Sequence, residues 1–372
     1  LHTEVHSFPT RRSSDLTTTF EASWKASDNE KLVSVEIGGV KVAGVDGIYS
    51  RSVPVAAGDN PISIKAVDAS GNSFSTSITV HRPHPIVDIA GGGDFVVHLD
   101  AAGNVGVWGK SDMPTPLSDF GIPAQMGVAK AVGATRHFAG ALLADNSVRV
   151  WNKLAQDVIP STDPGLIGVR KMVLGYDAVA TIKSSDSSLT VWDASSGWDK
   201  SAGLGANAPA KAIDVACGNS ICYAMQKDST VVAWNSSGAV AITEIPAGTK
   251  VKSIQARRQY GFVFLKNDSM VVIGNDKEST VPRPSNFSGF KKATSGEWHA
   301  LALTTAGRIV GWSGDDWQQS SATSSAPTDI VAIAAGYRSS FGLRADGSIW
   351  VAGISFGYKV AYRFPGHYLS KL

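Results

Sequence analysis

The sequence predicts an all-β chain: a seven-bladed β-propeller behind a small N-terminal β-sandwich. Three observations carry this. One phrase recurs seven times between Ile86 and Gly353, and residues Trp108, Trp151, Trp192, Trp234, Gly274, Trp312 and Ala352 mark its register at spacings of 43, 41, 42, 40, 38 and 40. The composition is rich in Gly (38 of 372 residues) and low in charge (18%), with no long Ala/Glu/Lys/Leu stretch that would favour helix. Residues 17–82 alternate apolar and polar positions between turn-forming clusters, as half-buried antiparallel strands do.

The chain is read as four parts. Residues 1–16 are set aside as an artefactual, disordered segment, because Phe8 to Leu16 (FPTRRSSDL) resembles the translation of a common sequencing adapter. The true N-terminus is therefore expected to be missing. Residues 17–82 form the sandwich, with reversals at Gly38-Gly39, Asp59-Asn60 and Asp68 to Asn72. Residues 83–85 are a stiff linker, since Pro83 and Pro85 fix φ. Residues 86–372 are the repeat array.

Within each repeat a short strand such as IVDIA (86–90) closes on a glycine: Gly92, Gly133, Gly175, Gly218, Gly296 or Gly336, with Arg258 in the fifth repeat. A longer strand follows. A two-residue turn (Ala102-Gly103, Asp145-Asn146, Asp186-Ser187, Asp228-Ser229, Asp268-Ser269, Ala306-Gly307, Asp346-Gly347) then leads to the strand ending at the register position. The long strands mix small and large apolar residues with few charges, so both faces are expected to be covered, as in stacked blades. Each unit has room for four strands, and seven units are expected to close into a ring rather than run on as an open solenoid.

The segment 17–82 resembles bacterial Ig-like modules in its Ala26-Ser27-Asp28-Asn29 turn, its Ala57-Gly58-Asp59-Asn60 turn and its Asp68-Ala69-Ser70-Gly71-Asn72 turn. The usual first strand is absent, which implies truncation and one sheet lacking an edge strand. Such modules serve chiefly as spacers. The array resembles the regulator of chromosome condensation family. It is most similar to the bacterial short-blade branch that includes the propeller-type β-lactamase-inhibitory protein. The carrying residues are Ile333-Ala334-Ala335-Gly336, Ser295 to Leu303, and Val105-Gly106-Val107-Trp108-Gly109. The resemblance implies a propeller; propellers host unrelated activities.

No enzyme motif is present: no phosphate loop, nucleophile elbow or His-Glu-x-x-His. His137 and His299, just after the repeat glycine, are read as structural. Asp315-Asp316 is read as solvated loop. Cys217 and Cys222 fall on facing strands of one hairpin, as two buried thiols or as a disulfide; a metal site lacks its other ligands. No cofactor is implied. The remaining signal is aromatic. Loops after the repeat glycine carry Phe95, His137, Tyr176, Tyr260, Glu297-Trp298 and Tyr337, and loops after the register Trp add Trp198 and Trp317. Gathered on one rim, they suit a partner surface. In the β-lactamase-inhibitory relative the corresponding loop aromatics form the inhibitor face, a likeness that fits Trp298 best.

A non-enzymatic, extracellular or cell-surface bacterial protein, monomeric and binding a protein or cell-surface partner through this rim, is expected. A carbohydrate-binding or polysaccharide-acting propeller is the alternative. Guanine-nucleotide exchange, as in eukaryotic relatives, is a third reading. The near-neutral net charge of +2 gives no case for nucleic acid. No apolar run reaches the roughly 18 residues of a membrane span.

Overall fold

A computed structural model describes residues 2–4, 18–27, 32–93, 95–109, 121–176, 178–257, 260–273, 288–314, 318–355, 358–359 and 362–364. The chain divides into two compact units, with the boundary between Pro85 and Ile86. Each is built from antiparallel strands. Residues 365–372, assigned above to the array, lie outside the described residues.

Among its described residues the first unit has eight strands: β1 (His2–Glu4), β2 (Thr19–Ser27), β3 (Leu32–Ile37), β4 (Val40–Val42), β5 (Gly44–Val45), β6 (Ile48–Pro54), β7 (Gly58–Asp68) and β8 (Ser73–Arg82). They form two sheets, in the orders β1-β2-β6-β5 and β4-β3-β7-β8. The period-2 patterns resolve into one core between the sheets. Ala22, Trp24 and Ala26 face Val35, Ile37, Ile62, Ile64 and Ala66. Two expectations change. Residues 2–4 are not wholly outside the fold, because they pair with β2 in the register His2↔Ser27. The reversal expected at Asp59-Asn60 lies earlier, since Asn60 is already in β7. Its amide brackets the turn by accepting from the Ala56 N–H and donating to the Ala56 carbonyl, both at 2.8 Å.

The second unit is a succession of small sheets, seven among the described residues. The first comprises Ile86–Gly91, Phe95–Asp100 and Val105–Gly109, and the second Ala129–Ala134, Phe138–Leu143 and Val148–Asn152. The third is Val169–Leu174, Ala178–Lys183 and Leu189–Asp193; the fourth is Asp214–Cys217, Cys222–Met225, Val231–Asn235 and Gly238–Val240. Val251–Arg257, Tyr260–Leu265 and Met270–Ile273 make the fifth, and Phe290–Ser295, His299–Thr304 and Ile309–Ser313 the sixth. The seventh holds Ile330–Ala335, Ser339–Arg344 and Ile349–Ser355, with two short strands from the C-terminal segment.

Each neighbouring pair of sheets shares its own buried cluster, and the series returns to its start. Ile86, Ile89 and Val96 of the first sheet pack with Phe341, Leu343 and Val351 of the seventh. This explains the register tryptophan. Trp151 is buried against the first sheet, Trp192 against the second, Trp234 against the third and Trp312 against the fifth. Each fills the gap left by small residues such as Ala139, Ala141, Ala300 and Ala302 on the neighbouring strands. Ala352 takes the place in the last sheet, and Gly274 lies outside the described residues. Trp108 is only half-buried and stacks on His98, with ring centroids 4.2 Å apart.

Among the described residues five of the seven sheets show three strands where four were expected; residues 110–120 and 275–287, which follow the register positions of the first and fifth sheets, lie outside them. After the register position the chain holds Pro164, Gly165 or serine runs, and it folds there as 3-10 turns (Pro164–Leu166, Ala194–Ser196, Ser321–Ser325). The hairpin turns also differ in type. Only one residue of each pair takes positive φ, as at Gly103 (85°), Asn146 (67°) and Gly307 (77°), and its N–H donates to the carbonyl three residues back. These are three-residue loops closing on a left-handed residue. In the fifth sheet that residue is Asp268 (61°), so the pair is Asn267-Asp268 and not Asp268-Ser269. Ser147, Ser188 and Thr230 hydroxyls donate to Asp145, Asp186 and Asp228, and hold those carboxyls below their ordinary range.

Cys217 and Cys222 face each other across the fourth sheet and form a disulfide, with both residues fully buried.

Candidate functional site: the corner loops around the axis

The first strand of every sheet lines one central space of about 220 Å3, with Ala90, Val132, Val173, Ala216, Gln255 and Ala334 on its wall. At one end of this space each first strand turns into the second through a two-residue corner. A backbone bond fixes the corner's register: the last residue before it donates to the first residue after it. Gly92 donates to Phe95 (2.7 Å), Gly175 to Ala178 (2.8 Å), Gly218 to Ile221 (2.7 Å), Gly296 to His299 (2.8 Å) and Gly336 to Ser339 (2.8 Å). In the second sheet the donor is Thr135, to Phe138 at 2.8 Å, and Gly133 sits inside the strand. The Thr135 hydroxyl accepts from the N–H groups of His137 and Phe138, so a side chain takes over part of the corner's geometry. In the fifth sheet Arg257, paired with Tyr260, holds the glycine's place, one residue before the expected Arg258.

This register sorts the predicted residues. Glu297, Trp298, Tyr176, Tyr337 and His137 are corner residues. Phe95 is not: it is the first residue of its second strand, 1% exposed and part of the core between the first two sheets, so it is removed from the surface. Tyr260 is likewise a strand residue, and its side chain lies outside what is described. Trp198 is half-buried with positive φ (66°) and meets Phe138 edge-on at 4.8 Å, which brings the loop after the third register Trp to the corner end. Trp317 and Asp315-Asp316 fall outside the described residues.

The first corner positions converge. Arg136 Nη1 donates to Tyr176 Oη at 3.0 Å, and Tyr176 in turn hydrogen-bonds the Glu297 carboxylate, joining the second, third and sixth sheets. Burial and the Glu297 bond push the Tyr176 phenol up to about 12, so it is a proton donor at neutral pH. The Arg136 guanidinium also lies over the Tyr337 ring, 4.6 Å from its centroid, and Arg338 lies 4.9 Å from the same centroid. Each such stack contributes about 0.5–2 kcal/mol. Backbone bonds link the corners in series: Gly93 N to Arg136 O (3.1 Å), Tyr337 N to Gly93 O (2.9 Å), and Glu297 N to Tyr337 O (3.3 Å). Glu297 is 5% exposed and serves as the cluster's internal anchor, whereas His137, Trp298, Tyr337 and Arg338 are half-exposed around it.

Arg136 carries no aromatic signal, and the sequence pattern places the corner at Gly133, two residues before Thr135, where it forms. Aligning the repeats on the corner bond would have placed Arg136 level with Tyr176, Glu297 and Tyr337.

Ser340 Oγ lies 3.0 Å from His299 Nε2, but both residues are fully buried and Ser340 also donates to the Gln319 carbonyl at 2.7 Å. It ties the sixth sheet to the seventh, in keeping with the structural role expected of His299. Among the described residues no group of three or more His, Cys, Asp or Glu is placed to hold a metal ion. Among them, too, no helix is long and apolar enough to cross a membrane.

No protein-family profile matches the sequence, and no curated protein matches it. Solved structures do. The chain is similar to the CRINKLY WD40 ectodomain of the Arabidopsis thaliana receptor kinase ACR4 (TM-score 0.54, 15% identity, covering 76% of this chain and 98% of that one). It is also similar to Prp20p from Saccharomyces cerevisiae (TM-score 0.51, 15% identity, 70% and 84%) and to the ectodomain of the Physcomitrella patens receptor kinase CR4 (TM-score 0.50, 15% identity, 71% and 72%). These likenesses show the fold alone: the repeat array is a β-propeller.

Proposed function

We propose that the chain is a non-enzymatic binding protein: a seven-bladed propeller, carried by a bacterial Ig-like module, that holds a protein partner on its corner-loop face. The observation that supports this most directly is the Arg136–Tyr176–Glu297–Tyr337 cluster. Tyrosine, tryptophan and arginine dominate binding hot spots, above all where they are held in place before the partner arrives. Here guanidinium stacking and the Tyr176–Glu297 bond fix the centre, and His137, Trp298 and Arg338 surround it.

The buried Cys217–Cys222 disulfide supports an extracytoplasmic setting, since such bonds persist in oxidising compartments. The bacterial short-blade branch remains the kinship that the Ser295 to Leu303 phrase favours. Prp20p is described by its binding to Gsp1p and histones; at 15% identity that likeness supports the fold, and an exchange-factor activity is not proposed.

The test is capture from bacterial surface extracts on the immobilised chain. A protein retained by the wild type and lost with Tyr337→Ala and Trp298→Ala, at little cost in melting temperature, is the expected result. Retention unaffected by both substitutions would move the site elsewhere. Binding to a glycan array, competed by free sugar, would replace the protein partner with a carbohydrate.

A further inference from the structure

The central space of about 220 Å3 differs at its two ends. At the corner end Arg136, Tyr176, Glu297 and Tyr337 meet across the axis from the second, third, sixth and seventh sheets. The gap left among them is about 10 Å3, roughly the room of one water. The end where the first strands begin is thereby left as the way in, and there two cationic side chains, Lys171 and Lys292, line the wall.

Register fixes what surrounds these lysines. Asp88 pairs with Leu99, Lys171 with Ile182, Asp214 with Met225 and Lys292 with Leu303. Each of those partners stands four residues past the residue that closes its corner, so the four form one level of the ring. The Lys171 ammonium is bonded to the buried Asp214 carboxylate, which also accepts from the Val215 and Ile254 N–H groups at 2.8 and 3.1 Å. That pair neutralises itself. Among the described residues Lys292 has no carboxylate within ion-pair distance.

Thr294 lies two residues along the same strand as Lys292 and so faces the same side. Gln255 stands level with Thr294 in the fifth sheet, and its carboxamide oxygen accepts from the Ala293 N–H at 3.1 Å, which leaves its NH2 group as a donor. Across the ring Ala90, Val132 and Val173 of the first three sheets make an apolar wall. One flank thus presents an ammonium, a hydroxyl and an amide NH2, and the facing flank presents hydrocarbon.

We propose that this chamber binds a small organic monocarboxylate. Its carboxylate sits on Lys292, with Thr294 and Gln255 as further donors, and its apolar tail lies against Ala90, Val132 and Val173. A cavity of about 150 Å3 is enough for benzene, so the space here suits a ring bearing one carboxylate. Asp88, at the level of Lys292 in the first sheet, disfavours a second anionic group. The site is independent of the protein partner proposed for the corner face.

Calorimetric titration of the full chain with benzoate tests it, and one saturable site per chain is expected. Lys292→Met, which keeps much of the side chain and removes its charge, is expected to weaken binding about tenfold or more, as loss of a charge-assisted hydrogen bond does. Ala90→Leu fills the apolar flank from another sheet and is expected to abolish binding, so the test does not depend on the folding of one variant; melting curves check both. Benzamide, which lacks the charge, and phthalate, which adds a second carboxylate, are each expected to bind about tenfold more weakly than benzoate or worse. Absence of saturable benzoate binding would overturn the proposal. So would undiminished binding by folded Lys292→Met or Ala90→Leu chains, or benzamide or phthalate binding as tightly as benzoate.

Discussion

The backbone N–H of Tyr337 donates to the carbonyl of Gly93 across 2.9 Å, so the last sheet of the repeat array is bonded to the first. The same contact puts Tyr337, whose ring has the Arg136 and Arg338 guanidiniums 4.6 and 4.9 Å from its centroid, at the junction where the series closes. Closure and the proposed binding surface are therefore built from the same corner. What shapes one shapes the other.

Gly91 is where this junction is tightest. A Cβ there would lie 2.4 Å from the Ala335 carbonyl oxygen and 2.8 Å from the Gly336 nitrogen, both backbone atoms that cannot swing aside. Gly91→Ala should lower stability by about 1–3 kcal/mol, as overpacking does. Chemical denaturation of the wild type and variant measures it; an unchanged midpoint would mean that the two strands do not meet.

His98 should make the first sheet sensitive to acid. Burial lowers its imidazole to about 4, against an ordinary value of 6.5. The folded state thus binds the proton less readily than the unfolded chain. The contribution is fully present above about pH 6.5, is lost as pH falls toward 4, and changes little below that; the total is about 3 kcal/mol. His98→Phe, which keeps a ring against Trp108, should flatten this part of the stability–pH curve.

Reducing the Cys217–Cys222 bond should cost about 2 kcal/mol, the loop-closure value for so short a loop. Both sulfurs are fully buried, so reduction should require denaturant. Thiol counting by mass spectrometry, native and unfolded, reads this directly. Ready labelling of the native protein would contradict the burial.

Trp298 and Trp312 of the sixth repeat should behave differently. Trp312 is fully buried against Phe262, with centroids 6.1 Å apart, and Trp312→Ala should cost about 3–5 kcal/mol. Trp298 is a half-exposed corner residue, and its loss should leave melting nearly unchanged. Equal losses would make Trp298 part of the core.

Much of this architecture could be read from the residues, because it repeats. The period is carried by Trp151, Trp192, Trp234 and Trp312, each filling one gap between sheets, and by turn residues that take positive φ. What stayed hidden depended on exceptions to the period. Thr135 replaces the corner glycine with a hydroxyl, which shifted the second corner by two residues and concealed Arg136. Phe95 looked like a loop aromatic because only the backbone bond from Gly92 tells a corner from the first strand residue. After Trp151, Trp192 and Trp312 the chain includes 3-10 turns (Pro164–Leu166, Ala194–Ser196 and Ser321–Ser325), which the strand alternation did not signal. That Tyr176 meets Glu297, residues 121 positions apart in chain number, follows from ring closure and from no local pattern.

The most direct test of the corner face is a hydrogen-exchange footprint of the chain bound to its captured partner. Protection concentrated at residues 136–137, 297–298 and 337–338, with the outer strands and turn loops unchanged, is the predicted result. Protection confined to the hairpin turns around Asn146, Ser187 and Ser229, at the far ends of the same strands, would contradict it.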